Sequence, residues 1–222
     1  MKIFCVIPAF NEEKNITAII NQTRPLVDRL VIVDDGSIDR TADFIEEKTV
    51  VLLKHIINRG QGAALRTGTE YCLNNGADII VHFDADGQFL SQDIERIAAP
   101  IKNREAQVVF GSRFLNSEHS AQMPFLKRYF IMPLAKAINK IFFNVDLTDP
   151  QSGFRAMSAQ AARKISWRQD RFAHCSEIMF EVKNHNFKVK EIPIKVIYHN
   201  FGQNFSDGLK ILKELFIAML IN

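Results

Sequence analysis

The chain predicts an α/β fold, a mostly parallel sheet flanked by helices, from three observations. Short β-rich apolar runs alternate with longer helix-like segments through the first half of the 222 residues. Each of these runs but the last leads into a polar or glycine-bearing tip, the pattern expected where strands of an open α/β sheet meet a ligand crevice. At 47% hydrophobic and 24% charged residues, the composition supports one full core and matches no disordered or fibrous class.

The strand candidates are residues 3–7 (IFCVI), 30–33 (LVIV), 50–53 (VVLL), 78–83 (DIIVHF) and 107–111 (QVVFG). Residues 12–24, 38–48, 60–75 and 91–104 lie between them, each long enough for a crossover helix, with Thr17, Ile20, Leu65, Tyr71 and Leu73 as buried-face candidates. The strand tips read Pro8-Ala9-Phe10-Asn11, Asp34-Asp35-Gly36-Ser37, Asn58-Arg59-Gly60 and Asp84-Ala85-Asp86-Gly87. Beyond Arg113 the pattern shifts to a helical stretch from Pro124 to Phe143, a turn-rich DPQSGF segment, a helix-like stretch at 174–185 and strand-like residues at 188–198. No repeat, low-complexity tract or Pro/Ser linker divides the chain, so 1–222 reads as a single domain.

Several classes are disfavoured. Lys plus Arg number 28 against 25 Asp plus Glu, too small a surplus for general nucleic-acid binding. Cys5, Cys72 and Cys175 are odd in number and in no CxxC spacing, which argues against a disulfide framework or a zinc site and fits a reducing cytoplasm. The N-terminal apolar run is too short for a signal-peptide core, so the chain is expected to start as it folds. No stretch reaches the roughly 18 apolar residues of a spanning helix.

Asp84 and Asp86 follow an apolar strand, and two carboxylates two residues apart at a strand end both reach one hard cation such as magnesium or manganese. Taken singly, the pair also suits ordinary turn chemistry. Asp35 in the DDGS tip suits a ribose hydroxyl or a base edge, while Ser37 or Asp39 equally suits the cap of a following helix. Gly60 and Gly62 at a helix start fit either a phosphate-cradling turn or close helix packing. The segment lacks the GK[ST] ending of a Walker A loop, and no GxGxxG follows the first strand, which disfavours a nicotinamide dehydrogenase.

The segments VIPAFNEEKNI, VDDGSIDRT, NRGQGAALRTG, FDADGQF and GSRF, in that order and spacing, resemble the family 2 glycosyltransferases. DPQSGFR and EIPIKV extend the likeness to about residue 198, and it is greatest to the dolichol-phosphate mannosyltransferase branch of polyprenyl-phosphate sugar synthases. The resemblance implies a GT-A-type, Rossmann-like fold, with 1–113 as the nucleotide-sugar-binding half and 114–222 as the acceptor-side half. It implies that Pro8, Ala9, Phe10 and Glu12 line the nucleotide pocket beside Val33 and Asp35. Asp84, Ala85 and Asp86 would take Mg2+ or Mn2+ and the donor diphosphate, with Gln88 also reaching the metal. Arg113, and likewise Arg155, would contact phosphate, an arginine fork being well matched to phosphate oxygens. Glu177 falls where the branch carries a glutamate and would serve as acceptor-side positioning group or base.

The expected function is therefore inverting transfer of a sugar from a nucleotide-diphosphate sugar to a polyprenyl phosphate or a cell-surface glycan precursor. The catalytic set is Asp86, Arg113 and Glu177. A soluble transferase on a small acceptor and a catalytically silent nucleotide-sugar-binding partner of a membrane complex are the other readings. Where the synthases of this branch carry an arginine and a lysine after the last strand, this chain has His199 and Phe205; His199 suits either a phosphate contact or a buried, stacked position. From Ser206 onward, apolar residues at 209, 212, 216 and 219 predict an amphipathic helix. That helix, like the basic-aromatic run Phe125–Phe130, suits peripheral contact with the cytoplasmic face of a membrane or packing against protein.

Overall fold

The computed structural model describes residues 1–46, 50–115, 147–149 and 152–197. Seven strands among them form one sheet: β1 (Ile3–Ala9), β2 (Arg29–Asp34), β3 (Val51–Lys54), β4 (Ile79–His82), β5 (Val108–Ser112), β6 (Arg155–Ser158) and β7 (Val189–Pro193). Their order is β3-β2-β1-β4-β6-β5-β7. All neighbours run parallel except β6, which is antiparallel to both β4 and β5. The helices are α1 (Ile16–Thr23), α2 (Gln61–Asn74), α3 (Asp93–Lys102), α4 (Ala159–Lys164) and α5 (His174–Asn184).

The strand period of two divides β1 between two cores. Ile3, Cys5, Ile7 and Ala9 join Ile16, Ile19, Ile94 and Ile97 on one face. Phe4 and Val6 join Ala64, Leu65, Ile178 and Met179 on the other. Burial on both faces is what a central parallel strand requires. Helix α2 carries little apolar bulk yet lies close on β1, because a Cβ on Gly68 would collide with the Val6 side chain.

Two expectations need correction, and two elements were not foreseen. Residues 38–48 form no crossover helix in the described part, only a 3-10 turn at Ala42–Phe44. The Ser37, Thr41 and Asp39 side chains accept the Asn11, Glu12 and Glu13 amides of the first strand tip, and Asp39 also accepts the Thr41 amide, so the start of this segment is tied to the neighbouring tip. On α1 the buried residues are Ile16, Ile19, Ile20 and Thr23, whereas Thr17 is exposed. Strand β6 and helix α4 were not expected. Four residues of strand directly followed by a helix capped by the Ser158 hydroxyl leave too short a period to read.

The expected helix at Pro124–Phe143, the run Phe125–Phe130, His199, Phe205 and the amphipathic segment from Ser206 lie outside the described residues. No helix among the described residues is long and apolar enough to cross a membrane.

Candidate active site

A cleft of about 680 Å3 opens beyond the carboxyl ends of β1, β2 and β4 and is closed on its far side by the loop before α5. Parallel pairing sets Ala9 beside Asp34, and Val6 beside His82, so the three tips emerge at one edge. Side chains then lock the first two tips together. Ser37 Oγ accepts from the Asn11 amide, Thr41 Oγ1 from the Glu12 amide and Asn11 Oδ1 from the Ile38 amide, at 2.7–3.0 Å. The buried Asp35 carboxylate fastens the third tip: it accepts the Arg59 and Gly60 amides at 3.1 and 2.6 Å and pairs with His55 Nδ1 at 2.6 Å.

Asp84, Ala85, Asp86 and Gln88 form the cleft's acidic wall. Asp86 Oδ1 accepts the Gln88 amide at 3.0 Å, and Asp84 Oδ1 accepts Gln61 Nε2 at 2.7 Å. Burial, and then the neighbouring Asp86 charge, push the Asp84 carboxyl up to about 7, against the pull of the Arg155 guanidinium. Glu12, on the same cleft, is also raised, by burial first and in part by Asp86. A wall of carboxylates that raise one another's proton affinity is one that a divalent cation stabilises. Asp84 is held with no room to spare, since a Cβ on Gly153 would run into its carboxylate. Among the described residues no cluster of three or more His, Cys, Asp or Glu is assembled. Two carboxylates and an amide oxygen fit Mg2+ or Mn2+, hard ions that bind through one or two carboxylates and complete their shell with substrate phosphate and water. The residues present therefore fit the implied metal.

Arg113 also lines the cleft, and its Nε and one terminal nitrogen donate to Asp149 at 2.6 and 2.8 Å. Asp149 is itself buried and accepts the Arg113 amide. Glu191 on β7 receives the amides of Thr148 and Asp149 at 2.9–3.0 Å, so the arginine is set through two layers of carboxylates.

Pro8, Ala9, Phe10, Glu12, Asp35, Asp84, Ala85, Asp86, Gln88 and Arg113 are thus brought to one cleft. Three expected residues are not on it. Val33 is fully buried in the core under α2 because it lies one residue before the β2 end and points to the covered face. Arg155 is fully buried on β6 and donates to His174 Nε2 at 2.9 Å, so it is a charge behind Asp84 rather than a contact on the cleft surface. Glu177 Oε2 accepts the Arg168 and Gln169 amides, both at 2.8 Å, so its carboxylate holds the wall loop. The glycine cradle is also filled. Cβ atoms on Gly60 or Gly62 would meet the Asp170 and Gln169 carbonyls, and Ala63 N donates to Asp170 O, so these glycines admit a protein loop.

Sequence reasoning passed over Gln61, Asp149, Gly153 and the segment Arg171–Ser176. The first three act through residues distant in the chain. The last carried only a helix period, although Arg171 and Phe172 immediately before a helix are an unusual pair of exposed side chains.

The comparisons with known proteins agree with this geometry. A model described as glycosyl transferase family 2 matches residues 4–166. An uncharacterized protein of Methanocaldococcus jannaschii is 38% identical, over 99% of this chain and 93% of its own length. The UDP-N-acetylglucosamine–dolichyl-phosphate N-acetylglucosaminyltransferase of Methanococcus voltae is 35% identical, over 98% of this chain and 96% of its own. The crystal structure of glucosyl-3-phosphoglycerate synthase from Mycobacterium tuberculosis with Mn2+, UDP and glucosyl-3-phosphoglycerate superposes with a TM-score of 0.73 at 19% identity, covering 99% of this chain and 78% of that one. At that identity the likeness shows the fold, which is GT-A. With the family model spanning most of its length and two relatives above one-third identity, the chain belongs to glycosyl transferase family 2 and is a glycosyltransferase.

Proposed function

We propose that the protein is a metal-dependent, inverting transferase that moves a sugar from a nucleoside-diphosphate sugar to a polyprenyl phosphate at the cytoplasmic face of a membrane. The observation that carries this reading is the meeting, in one cleft, of the Asp84–Asp86 pair and an arginine held in place by Asp149. UDP is the first nucleotide to test, because the Methanococcus voltae relative is named for UDP-N-acetylglucosamine and dolichyl phosphate.

Cleavage of the donor leaves a nucleoside diphosphate on which negative charge grows. Asp84, Asp86 and Gln88 would hold a Mg2+ or Mn2+ ion, which would supply Lewis-acid stabilisation of that charge. Arg113 adds a positive charge held on the same cleft by Asp149. Phe10 and Asp35 bound the part of the cleft where base and ribose fit, and Asp35 is oriented by His55. A phosphate acceptor is already anionic near neutral pH, so no strong base is required. Glu177 then positions the wall loop through the two amides it holds. Attack from the side opposite the leaving diphosphate inverts the anomeric carbon.

The test is transfer from UDP-, GDP- and dTDP-sugars, each with Mn2+, to dolichyl and undecaprenyl phosphate, read as a butanol-extractable glycolipid whose anomer is assigned by NMR. Transfer from one donor that EDTA abolishes is the expected result. Absence of lipid product with every donor sinks the reading.

A further inference from the structure

The cleft contains two arginines and four carboxylates, and the arginines are not equivalent. Glu12, Asp35, Asp84 and Asp86 supply the negative charge. Arg113 is committed to Asp149. Arg171 is exposed at the cleft, and its guanidinium has no hydrogen-bond or ion-pair partner among the described residues. An anionic acceptor approaching a wall of carboxylates needs such a cation to offset the repulsion.

The loop that presents Arg171 is rigidly built. Its carbonyl accepts both the His174 amide and His174 Nδ1, at 3.2 and 2.7 Å. Its neighbour Asp170 binds Arg59 and Arg66 through the side chain and Ala63 N through the carbonyl. Glu177 holds the amides of Arg168 and Gln169. The Arg171 stem passes over Gly60, where a Cβ would come within 2.9 Å of its Cγ. Asp170 pairs with Arg59 and Arg66, while Arg168 and Arg171 stand exposed on the same loop, so the loop offers positive charge to an approaching anion. Beside Arg171, Phe172 is 61% exposed, and Phe10 on the same cleft is 43% exposed. A cation next to exposed aromatic rings matches an amphiphile with an anionic head and a hydrocarbon tail.

Resting on the polyprenyl-phosphate reading above, we infer that the Arg171–Phe172 pair is the acceptor subsite: Arg171 binds the phosphate head of a prenyl phosphate and Phe172 seats the first isoprene units. Arg171 acts by contact with the acceptor, and the loop bonds to Glu177, His174 and Ala63 hold it in place.

The experiment measures acceptor KM for the full chain with a long polyprenyl phosphate and with geranyl phosphate, and the Mn2+-dependent thermal shift given by UDP. The variants are Arg171→Ala, Arg171→Lys and Phe172→Ser. Loss of a charge-assisted hydrogen bond in Arg171→Ala raises KM for both acceptors roughly ten- to a hundred-fold. Arg171→Lys recovers part of that loss, and Phe172→Ser raises KM more for the long acceptor than for geranyl phosphate. The UDP shift persists in all three. If wild type transfers to prenyl phosphates but Arg171→Ala keeps its acceptor KM within two-fold, the subsite assignment is overturned and the function reading survives. If Arg171→Ala and Arg171→Lys both lose the UDP shift, Arg171 belongs to the donor side or to the fold, and the assignment is again overturned. If wild type transfers to no prenyl phosphate, the function reading fails and the subsite with it.

Discussion

Replacing Asp84 by asparagine should stabilise the metal-free protein while removing metal-dependent donor binding. The folded-state pKa of Asp84 lies at about 7 against an ordinary 3.8. Each pKa unit is worth about 1.4 kcal/mol, so the ionised carboxylate costs the metal-free fold up to about 4 kcal/mol. That shift already includes the favourable pull of Arg155. Because this acid's pKa is raised on folding, its penalty is absent below pH 3.8, grows as pH rises, and is complete above about 7. Asparagine retains an oxygen for the Gln61 amide and carries no charge. Allowing for partial solvation, the expected gain at pH 8 is about 1–3 kcal/mol, or roughly 2–12 °C in Tm for a chain of this size. The gain should shrink steadily toward pH 4. Thermal melts in EDTA across pH 4–8, paired with Mn2+ and UDP titrations, read both effects. An asparagine variant less stable than wild type at pH 8, or one whose UDP shift still needs Mn2+, would refute the argument that the burial and crowding of charge on this wall are what a cation relieves.

Other consequences follow from the same contacts. Gly153→Ala drives a methyl into the Asp84 carboxylate and should weaken Mn2+ binding roughly ten-fold, within the overpacking range of about 1–3 kcal/mol, as isothermal titration with UDP present can measure. An unchanged affinity would show that Gly153 does not position Asp84. Asp149→Ala removes all three bonds from Arg113 at a buried position, with an expected loss of about 2–4 kcal/mol in urea unfolding and a fall in kcat/KM; Asp149→Asn should lose less. Since Asp84 must ionise to ligate a cation, Mn2+ affinity should rise with pH to a plateau just above 7, with proton release measurable in buffers of different ionisation enthalpy. A pH-independent affinity between 5.5 and 8 would contradict the raised pKa. Gly62→Ala should displace the loop at 168–173 and raise acceptor KM, because its Cβ would meet the Gln169 carbonyl.

Much of this architecture is legible along the chain. Strands β1, β2, β4 and β5 announce themselves as apolar runs because a strand in a parallel sheet is buried on both faces, and their tips carry Asp35, Asp84 and Asp86 by local sequence. The family motifs name nearly all of the donor wall for the same reason: each motif is one strand end and the turn behind it. Harder to read are β6 and α4, too short for their period to stand out, and residues 38–48, whose start is tied by Ser37, Asp39 and Thr41 to the distant amides of residues 11–13 and makes only a 3-10 turn.

The tertiary structure decides the roles. Val33 and Arg155 sit in motifs that resemble functional ones, yet side-chain direction on a strand turns each into the protein, a parity that shifts with one residue of register. Glu177 looks like a base in sequence and becomes a clamp because the loop at 168–169 folds back onto it. Arg113 acquires its orientation from Asp149, and that from Glu191, through pairs 36 and 42 residues apart. What the sequence by itself determined was the identity and order of the strand tips, since those depend on neighbours within a few residues. Which side chains face the cleft, which brace it, and which loop closes it depend on contacts between distant segments, and those exist only once the sheet has assembled.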